Sequence, residues 1–314
     1  MKHLPQHGAP LHDNLMYATY YAPRGRIRMH MLGGGLGQRY LTPQDLLIGV
    51  IGAEGSGKST LIKALFPGLE LTNDDDGVNV RPTPLLGFTG DDFFSGHTFH
   101  IDYRYESAFH SKFEILEAIR SALAHNRRVI VEHFDLIYED LGFNAHLLFG
   151  IGEEIIVCRP NAFGPHPAAI RNVVTRTIKF RRMAHSAEDL TCLVLKRDYG
   201  IESKLLHSDV KHGFVLKFDS PPQVNLCMLQ AKVQELITAN LPIQAADDQH
   251  IRVGDDTLFC TGVRTHVKST GEIADFRLLK ELKHDPLADE HLLIGLIGHR
   301  EIAGFEEIIP LLDG

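Results

Sequence analysis

Cysteine, long apolar stretches and excess basic charge are all scarce in this 314-residue chain, and each shortage narrows what the protein can be. Cys158, Cys192, Cys227 and Cys260 are scattered without a C-x-x-C pair, which argues against a disulfide framework or a zinc ribbon and fits a reducing compartment. No run approaches the roughly 20 apolar residues that a membrane helix needs. The opening segment MKHLPQHGAPLHDN also lacks the apolar stretch of a secretory signal, so the expectation is a soluble, cytoplasmic protein with no membrane partner. The formal charge is −8: residues 1 to 170 carry 14 Lys/Arg against 19 Asp/Glu, and residues 171 to 314 carry 18 against 21. Neither half has the basic surplus of a general nucleic-acid coat, so any RNA contact has to be a local patch. The stretch Arg171 to Arg182 (RNVVTRTIKFRR), with five cations and no acid, is such a patch or equally a solvated helix face.

What the chain does have is a complete phosphate-loop sequence of the Walker A type. Gly52-Ala53-Glu54-Gly55-Ser56-Gly57-Lys58-Ser59-Thr60 follows the apolar run Leu46 to Ile51 and precedes the helix-like Leu61 to Leu65. Glycines let backbone N–H groups curl around phosphates, Lys58 brings a point charge to the β and γ oxygens, and the Ser59 hydroxyl can hold Mg²⁺. The chemistry implied is binding of ATP or another nucleoside triphosphate with Mg²⁺.

Length divided by about 150 suggests two domains. With 44% hydrophobic and 23% charged residues, each half can build a core. Residues 1 to 45 read as a lead-in, because Met29 to Leu41 (MHMLGGGLGQRYL) is too rich in glycine for a helix and looks like a mobile linker or packing arm. Residues 46 to 177 alternate strand-like and helix-like segments in the pattern of a parallel sheet covered by helices, an α/β phosphate-loop domain. Thr98 to Tyr103, Val129 to Glu132 and Glu154 to Cys158 read as strands, and Ser111 to Ala124 as a helix with Leu116, Ile119 and Leu123 on one face.

A second carboxylate should lie at the carboxyl end of a neighbouring strand to help hold Mg²⁺. Glu132, directly after Val-Ile-Val, is the first choice, with Asp102 as second choice or partner. Asp91-Asp92 in TGDDFF resembles the Asp-Asp-Phe-Tyr segment of uridine kinases, and Val129 to His133 resembles the Val-Glu-Gly strand end of that family. There Asp92 would act on the accepting hydroxyl. His100-Ile101-Asp102-Tyr103-Arg104 is similar to a His-x-Asp-x-Tyr-Arg strand in the ATPase of tRNA threonylcarbamoyladenosine biosynthesis. The acidic turn Asn73-Asp74-Asp75-Asp76-Gly77 is as well explained by a solvated loop as by a metal site.

Residues 178 to 314 carry a different resemblance. Arg182 to Leu190 (RMAHSAEDL), the helix-like Pro221 to Ile243, and Thr257 to Glu281 (TLFCTGVRTHVKSTGEIADFRLLKE) resemble, in that order, the second additional domain of alanyl- and threonyl-tRNA synthetases. Free-standing alanyl-tRNA editing proteins contain the same domain. The resemblance implies an α+β domain that recognises an aminoacyl or amino-acid-like group, with tRNA as a partner. It places the family's four metal-site residues on His185, Asp189, Cys260 and His266. Two departures stand out: Asp189 replaces the second histidine of the family, and five residues rather than three separate Cys260 from His266. All four side chains are acceptable Zn²⁺ ligands, and His185 and Asp189 at i, i+4 share a helix face.

Three functions are compatible with these readings. The first is an ATP-dependent enzyme, hydrolysing ATP or transferring its phosphoryl group, with an editing-like domain as recognition module. The second is a small-molecule kinase of uridine-kinase type, and the third a nucleotide-switched RNA-binding protein.

Overall fold

The computed structural model describes residues 15, 17–74, 77–78, 83–88, 96–161, 163–204 and 207–299. Asp75, Asp76, Asp91 and Asp92 lie outside the described residues. The chain divides into two compact units, Met29–Thr177 with the chain up to Ala22, and Pro23–Arg28 with the chain from Ile178 onward. The architecture is α/β, with one mixed sheet and several antiparallel ones.

In the first unit six strands run in the order Ala18–Tyr21, Glu154–Cys158, Leu147–Ile151, Leu47–Gly52, Arg128–Glu132, Thr98–Asp102. The last four are mutually parallel. Glu154–Cys158 returns antiparallel to Leu147–Ile151 after a tight turn, and Ala18–Tyr21 pairs antiparallel with it. The sheet is therefore mixed rather than wholly parallel. Only two residues, Gly152 and Glu153, join the strands Leu147–Ile151 and Glu154–Cys158, too short a link for the crossover that a parallel pair would need.

Period-two alternation gives this sheet two buried faces. Leu47, Ile51, Phe99, Ile101, Val129, Val131 and Leu148 pack with Ile115, Ile119 and Ala122 of the helix Lys112–Ala124. Ile48, Val50, Ile130, Phe149 and Ile151 pack on the opposite side with Leu61, Ile62 and Leu65. The helix Lys112–Ala124 starts in a capping box, Ser111 accepting from Glu114 N–H while the Glu114 carboxylate accepts from Ser111 N–H.

The lead-in departs from expectation. Arg26–Tyr40 is a 15-residue helix, and Ala18–Tyr21 is a sheet strand, so this segment is built into the fold rather than a mobile linker. Packing overrides the poor helix propensity of its glycines. A Cβ on Gly33 would lie 2.6 Å from Ala64 Cβ and 3.2 Å from Leu61 Cδ1, so the missing side chain is what lets this helix approach the helix Lys58–Leu65.

The second unit is antiparallel throughout its sheets. Arg277–Leu278, Glu290–Leu296, Gly213–Phe218 and Ser208–Val210 form one sheet in that order, with Lys283–Asp285 also paired to Glu290–Leu296. Ile243–Ala245, His250–Val253 and Asp256–Phe259 form a second. Its core draws Ala187, Leu190 and Val194 from the helix Pro167–Tyr199 and Leu229, Val233 and Ile237 from the helix Leu226–Thr238, both at three-to-four residue spacing. The second helix is shorter than the expected Pro221–Ile243. Asn225 caps it by accepting from Met228 N–H at 3.1 Å, and Asn240, at φ 50°, turns the chain out of it before Ile243 enters a strand.

The glycine contacts yield opposite expectations for neighbouring positions. Gly33→Ala should lower stability by about 1–2 kcal/mol, because the overpacking exceeds the gain in helix propensity. Gly34→Ala, with nothing within 4 Å of its Cβ, should raise stability by about 0.5–1 kcal/mol. Urea unfolding of both variants reads the two signs.

Candidate functional site

Two clusters of chemistry-bearing side chains stand out, one in each unit. The first lies at the carboxyl ends of the parallel strands, where ligands of open α/β sheets bind. After the strand Leu47–Gly52, the loop turns through Gly55 at φ 70° and Gly57 at φ 90°, left-handed conformations that strain any residue with a Cβ. Gly57 caps the helix Lys58–Leu65, whose first-turn N–H groups face a region suited to anions. Lys58 is 7% exposed and Ser59 8%. Lys58 Nζ donates to Ala53 O at 3.2 Å and stands 3.5 Å from Glu132 Oε2. At the rim of the loop, Glu54 pairs with Arg104 at 2.9 Å.

Strand register sets the acidic side of this cluster. Val50 is level with Glu132, and Glu132 with Asp102, so both acids end adjacent strands beside the loop. Glu132 is buried and held by His100, whose Nε2 lies 3.1 Å from Glu132 Oε1. The other ring nitrogen identifies the tautomer. His100 Nδ1 accepts from Thr72 N–H at 3.1 Å, so the ring hydrogen sits on Nε2 and is donated to Glu132. Burial opposes the charged form of Glu132, but the His100 hydrogen bond and the charge of Lys58 hold its pKa below the usual carboxylate value.

Asp102 Oδ1 accepts from Tyr105 N–H at 3.1 Å, capping the short helix Tyr103–Glu106. His133, just past the end of the strand Arg128–Glu132, joins this group. Its backbone is left-handed at φ 58°, and its ring, with the carboxylates of Asp102 and Glu132, offers ligand-type atoms within 4.8 Å of one another. Burial, then the charge of Lys58, lowers the His133 pKa and favours the neutral imidazole. Its only sequence signal is position, one residue past the strand-end acid. Asp92, the expected acceptor-site acid, lies outside the described residues.

The second cluster consists of His185, Asp189, Cys260 and His266, whose ligand-type atoms lie within 4.8 Å of one another. His185 and Asp189 project from successive turns of the helix Pro167–Tyr199. Cys260 and His266 come from the chain after the strand Asp256–Phe259, where Thr265 N–H bonds Gly262 O at 2.9 Å in a turn between them. Cys260 Sγ lies 3.4 Å from His185 Nε2 and 3.9 Å from His266 Nε2, and Asp189 Oδ2 lies 2.9 Å from His266 Nε2 and 3.9 Å from His185 Nε2. Zinc–ligand bonds of about 2.0 to 2.3 Å in a tetrahedron place ligand atoms about 3.3 to 3.6 Å apart. The Cys260–His185 distance falls in that range, and the other three lie a few tenths of an ångström to either side of it.

The ring orientations agree with that spacing. His185 Nδ1 faces Thr265 O at 3.1 Å and His266 Nδ1 faces Val263 O at 3.2 Å. Each Nδ1 therefore carries hydrogen, and each Nε2 points inward, the outer-shell pattern of metal-ligating histidines. Burial, then the neighbouring His266, drives the His185 pKa down to about 3, which keeps its inner lone pair free of a proton. Burial, then Asp189, pushes the Cys260 thiol up. For Asp189, burial opposes the charged form but is outweighed by its neighbours in the cluster, and its pKa falls.

The basic stretch Arg171 to Arg182 does not present its five cations on one solvated face. Arg181 is 3% exposed and donates to Pro23 O, while Arg171 reaches Asp135 at 3.6 Å. No helix among the described residues is long and apolar enough to cross a membrane. No protein-family model matches the chain, and no curated protein matches it either.

Proposed function

We propose that the first unit binds a nucleoside triphosphate, such as ATP, with Mg²⁺ and either hydrolyses it or transfers its terminal phosphoryl group. The second unit, on this reading, holds zinc and recognises an aminoacyl or amino-acid-like group. The observation that carries the first part is the convergence of Lys58, Ser59, Asp102 and Glu132 on one end of the sheet, beside a glycine loop and a helix N-terminus. Lys58 would exchange Ala53 O and Glu132 for phosphate oxygens. Ser59 and Glu132, the latter fixed by His100, would hold Mg²⁺, which would offset the charge of the phosphates.

Support for the second part is the four-residue cluster together with the resemblance to editing domains. His185, Asp189, Cys260 and His266 would hold the ion. Four protein ligands close a tetrahedral zinc, so the ion would fix the geometry of this part of the unit, and would act as a Lewis acid on a substrate oxygen or nitrogen only by taking a fifth ligand. Hydrolysis of an aminoacyl ester runs downhill without ATP, so a triphosphate site in the same chain favours recognition of such a group over simple editing.

Calorimetry tests the nucleotide site. Wild-type protein should bind Mg²⁺–ATP, and Lys58→Ala should lose at least about tenfold in affinity, a loss of about 1.4 kcal/mol, while urea unfolding shows a folded but less stable variant, because buried Glu132 loses its opposite charge. Equal affinity in the two proteins contradicts the assignment.

Metal analysis tests the second site. Protein purified without chelators should carry close to one zinc per chain. Cys260→Ala should lower that content sharply, whereas Cys192→Ala should retain it. Wild-type protein that is metal-free and cannot be loaded with zinc removes the metal from the account.

A further inference from the structure

Glu188 precedes Asp189 on the helix Pro167–Tyr199 but belongs to a different set of contacts. Its Oε2 accepts from Arg24 Nε at 2.7 Å, and its Oε1 accepts from His207 Nδ1. On the other side of that imidazole, His207 Nε2 lies 3.2 Å from Ser203 Oγ. Because Nδ1 faces a carboxylate it carries the ring hydrogen, which leaves Nε2 to accept from the serine O–H. Hydroxyl, imidazole and carboxylate thus stand in line at the spacing of an activated nucleophile, its base and the group that orients the base.

Burial is graded along this line. The side chains of Glu188 and Arg24 are 4% and 5% exposed, that of His207 is 17% exposed, and Ser203 is half-buried. Arg24 is itself anchored, Nη1 to Asp209 Oδ1 at 2.7 Å and to Gly213 O at 3.2 Å, and Nη2 to Ser208 O at 3.1 Å. A carboxylate needed only to balance Arg24 is satisfied by that pair. The imidazole and the hydroxyl extend the network toward solvent. Cys192, one turn after Glu188 on the same helix, places Sγ 3.7 Å from Ser203 Oγ. Burial, then Glu188 and Asp189, pushes that thiol up, while His207 Nε2 sits at hydrogen-bond distance from the serine oxygen, which makes the oxygen the activated group.

We propose that Ser203, His207 and Glu188 form a nucleophilic relay that hydrolyses carboxylic esters through an acyl-serine, independently of both the triphosphate site and the zinc cluster. Ser203 Oγ bonds to the ester carbonyl carbon while its proton passes to His207 Nε2. The carbon–alkoxy bond then breaks, and the leaving alkoxide takes the proton from His207. Water, deprotonated by His207, attacks the acyl carbon, and Ser203 regains its proton as the acid departs. Glu188, held by Arg24, keeps the His207 hydrogen on Nδ1 and offsets the charge of the transient imidazolium.

Reaction of the full chain with a fluorophosphonate ester, followed by intact mass and peptide mapping, tests the relay. One phosphonyl group should appear on Ser203, and mixing with p-nitrophenyl acetate should release a burst of nitrophenolate close to one equivalent per chain. His207→Asn should slow labelling at least about a hundredfold, the usual contribution of a general base. Ser203→Ala should abolish it. The site of labelling on wild-type protein needs no variant to fold. An unlabelled wild-type chain, a label on a peptide without Ser203, or His207→Asn reacting at the wild-type rate each overturns the proposal.

Discussion

A buried carboxylate at the end of a central strand organises the first unit. Glu132 is almost inaccessible to solvent, and such a charge is tolerable only when it is paired and hydrogen-bonded. His100 from the adjacent strand provides the hydrogen bond, and Lys58 from the loop provides the opposite charge. Both depend on register: a one-residue slip of Arg128–Glu132 would turn Glu132 to the other face and break each contact. Parallel pairing, the left-handed glycines that bring Lys58 round, and Thr72 holding His100 Nδ1 all serve this one arrangement. A lysine poised between a carbonyl and a carboxylate can change partners at small cost when phosphate oxygens arrive, because its charge is never left unpaired.

The second unit follows a related principle with different groups. Its helix Pro167–Tyr199 sends Ala187, Leu190 and Val194 into the core, while His185, Glu188 and Asp189 bring polar chemistry to its other flanks. Glu188 and Asp189 are neighbours in sequence and diverge by about 100° around the helix axis, so one faces Arg24 and His207 and the other faces His266 and Cys260. Two buried clusters of separate chemistry therefore share one helix without sharing a ligand atom.

The elements with strong periodicity were legible from sequence. Lys112–Ala124 with its Ser111 cap, Arg128–Glu132, Glu154–Cys158 and the loop after Gly52 all lie where pattern and spacing put them. Leu147–Ile151 escaped because a short apolar run with an internal glycine has no period of its own. Arg26–Tyr40 was misread because propensity is a weak guide once Gly33 is needed for close helix packing. His185, Asp189, Cys260 and His266, named together from the resemblance, lie together in the fold, while the turn at Gly262–Thr265 that separates Cys260 from His266 had no signal of its own. His133 and the Ser203–His207–Glu188 line had no such signal. Their members meet only through tertiary structure, and serine, histidine and glutamate scattered along a chain look like ordinary surface residues.

The account as a whole rests on the loop Gly52–Gly57 and the strand-end acids forming one triphosphate–metal site. Thermal unfolding measured against ligand concentration addresses that most directly, since a ligand that binds only the folded state stabilises it by about 2.7 kcal/mol at a hundred times its Kd. The account predicts a midpoint that climbs steadily with ATP concentration when Mg²⁺ is present, climbs less without it, and stays level with AMP, which lacks the β and γ phosphates that Lys58 would meet. A midpoint indifferent to Mg²⁺–ATP at millimolar concentration, or one raised equally by AMP, would contradict it.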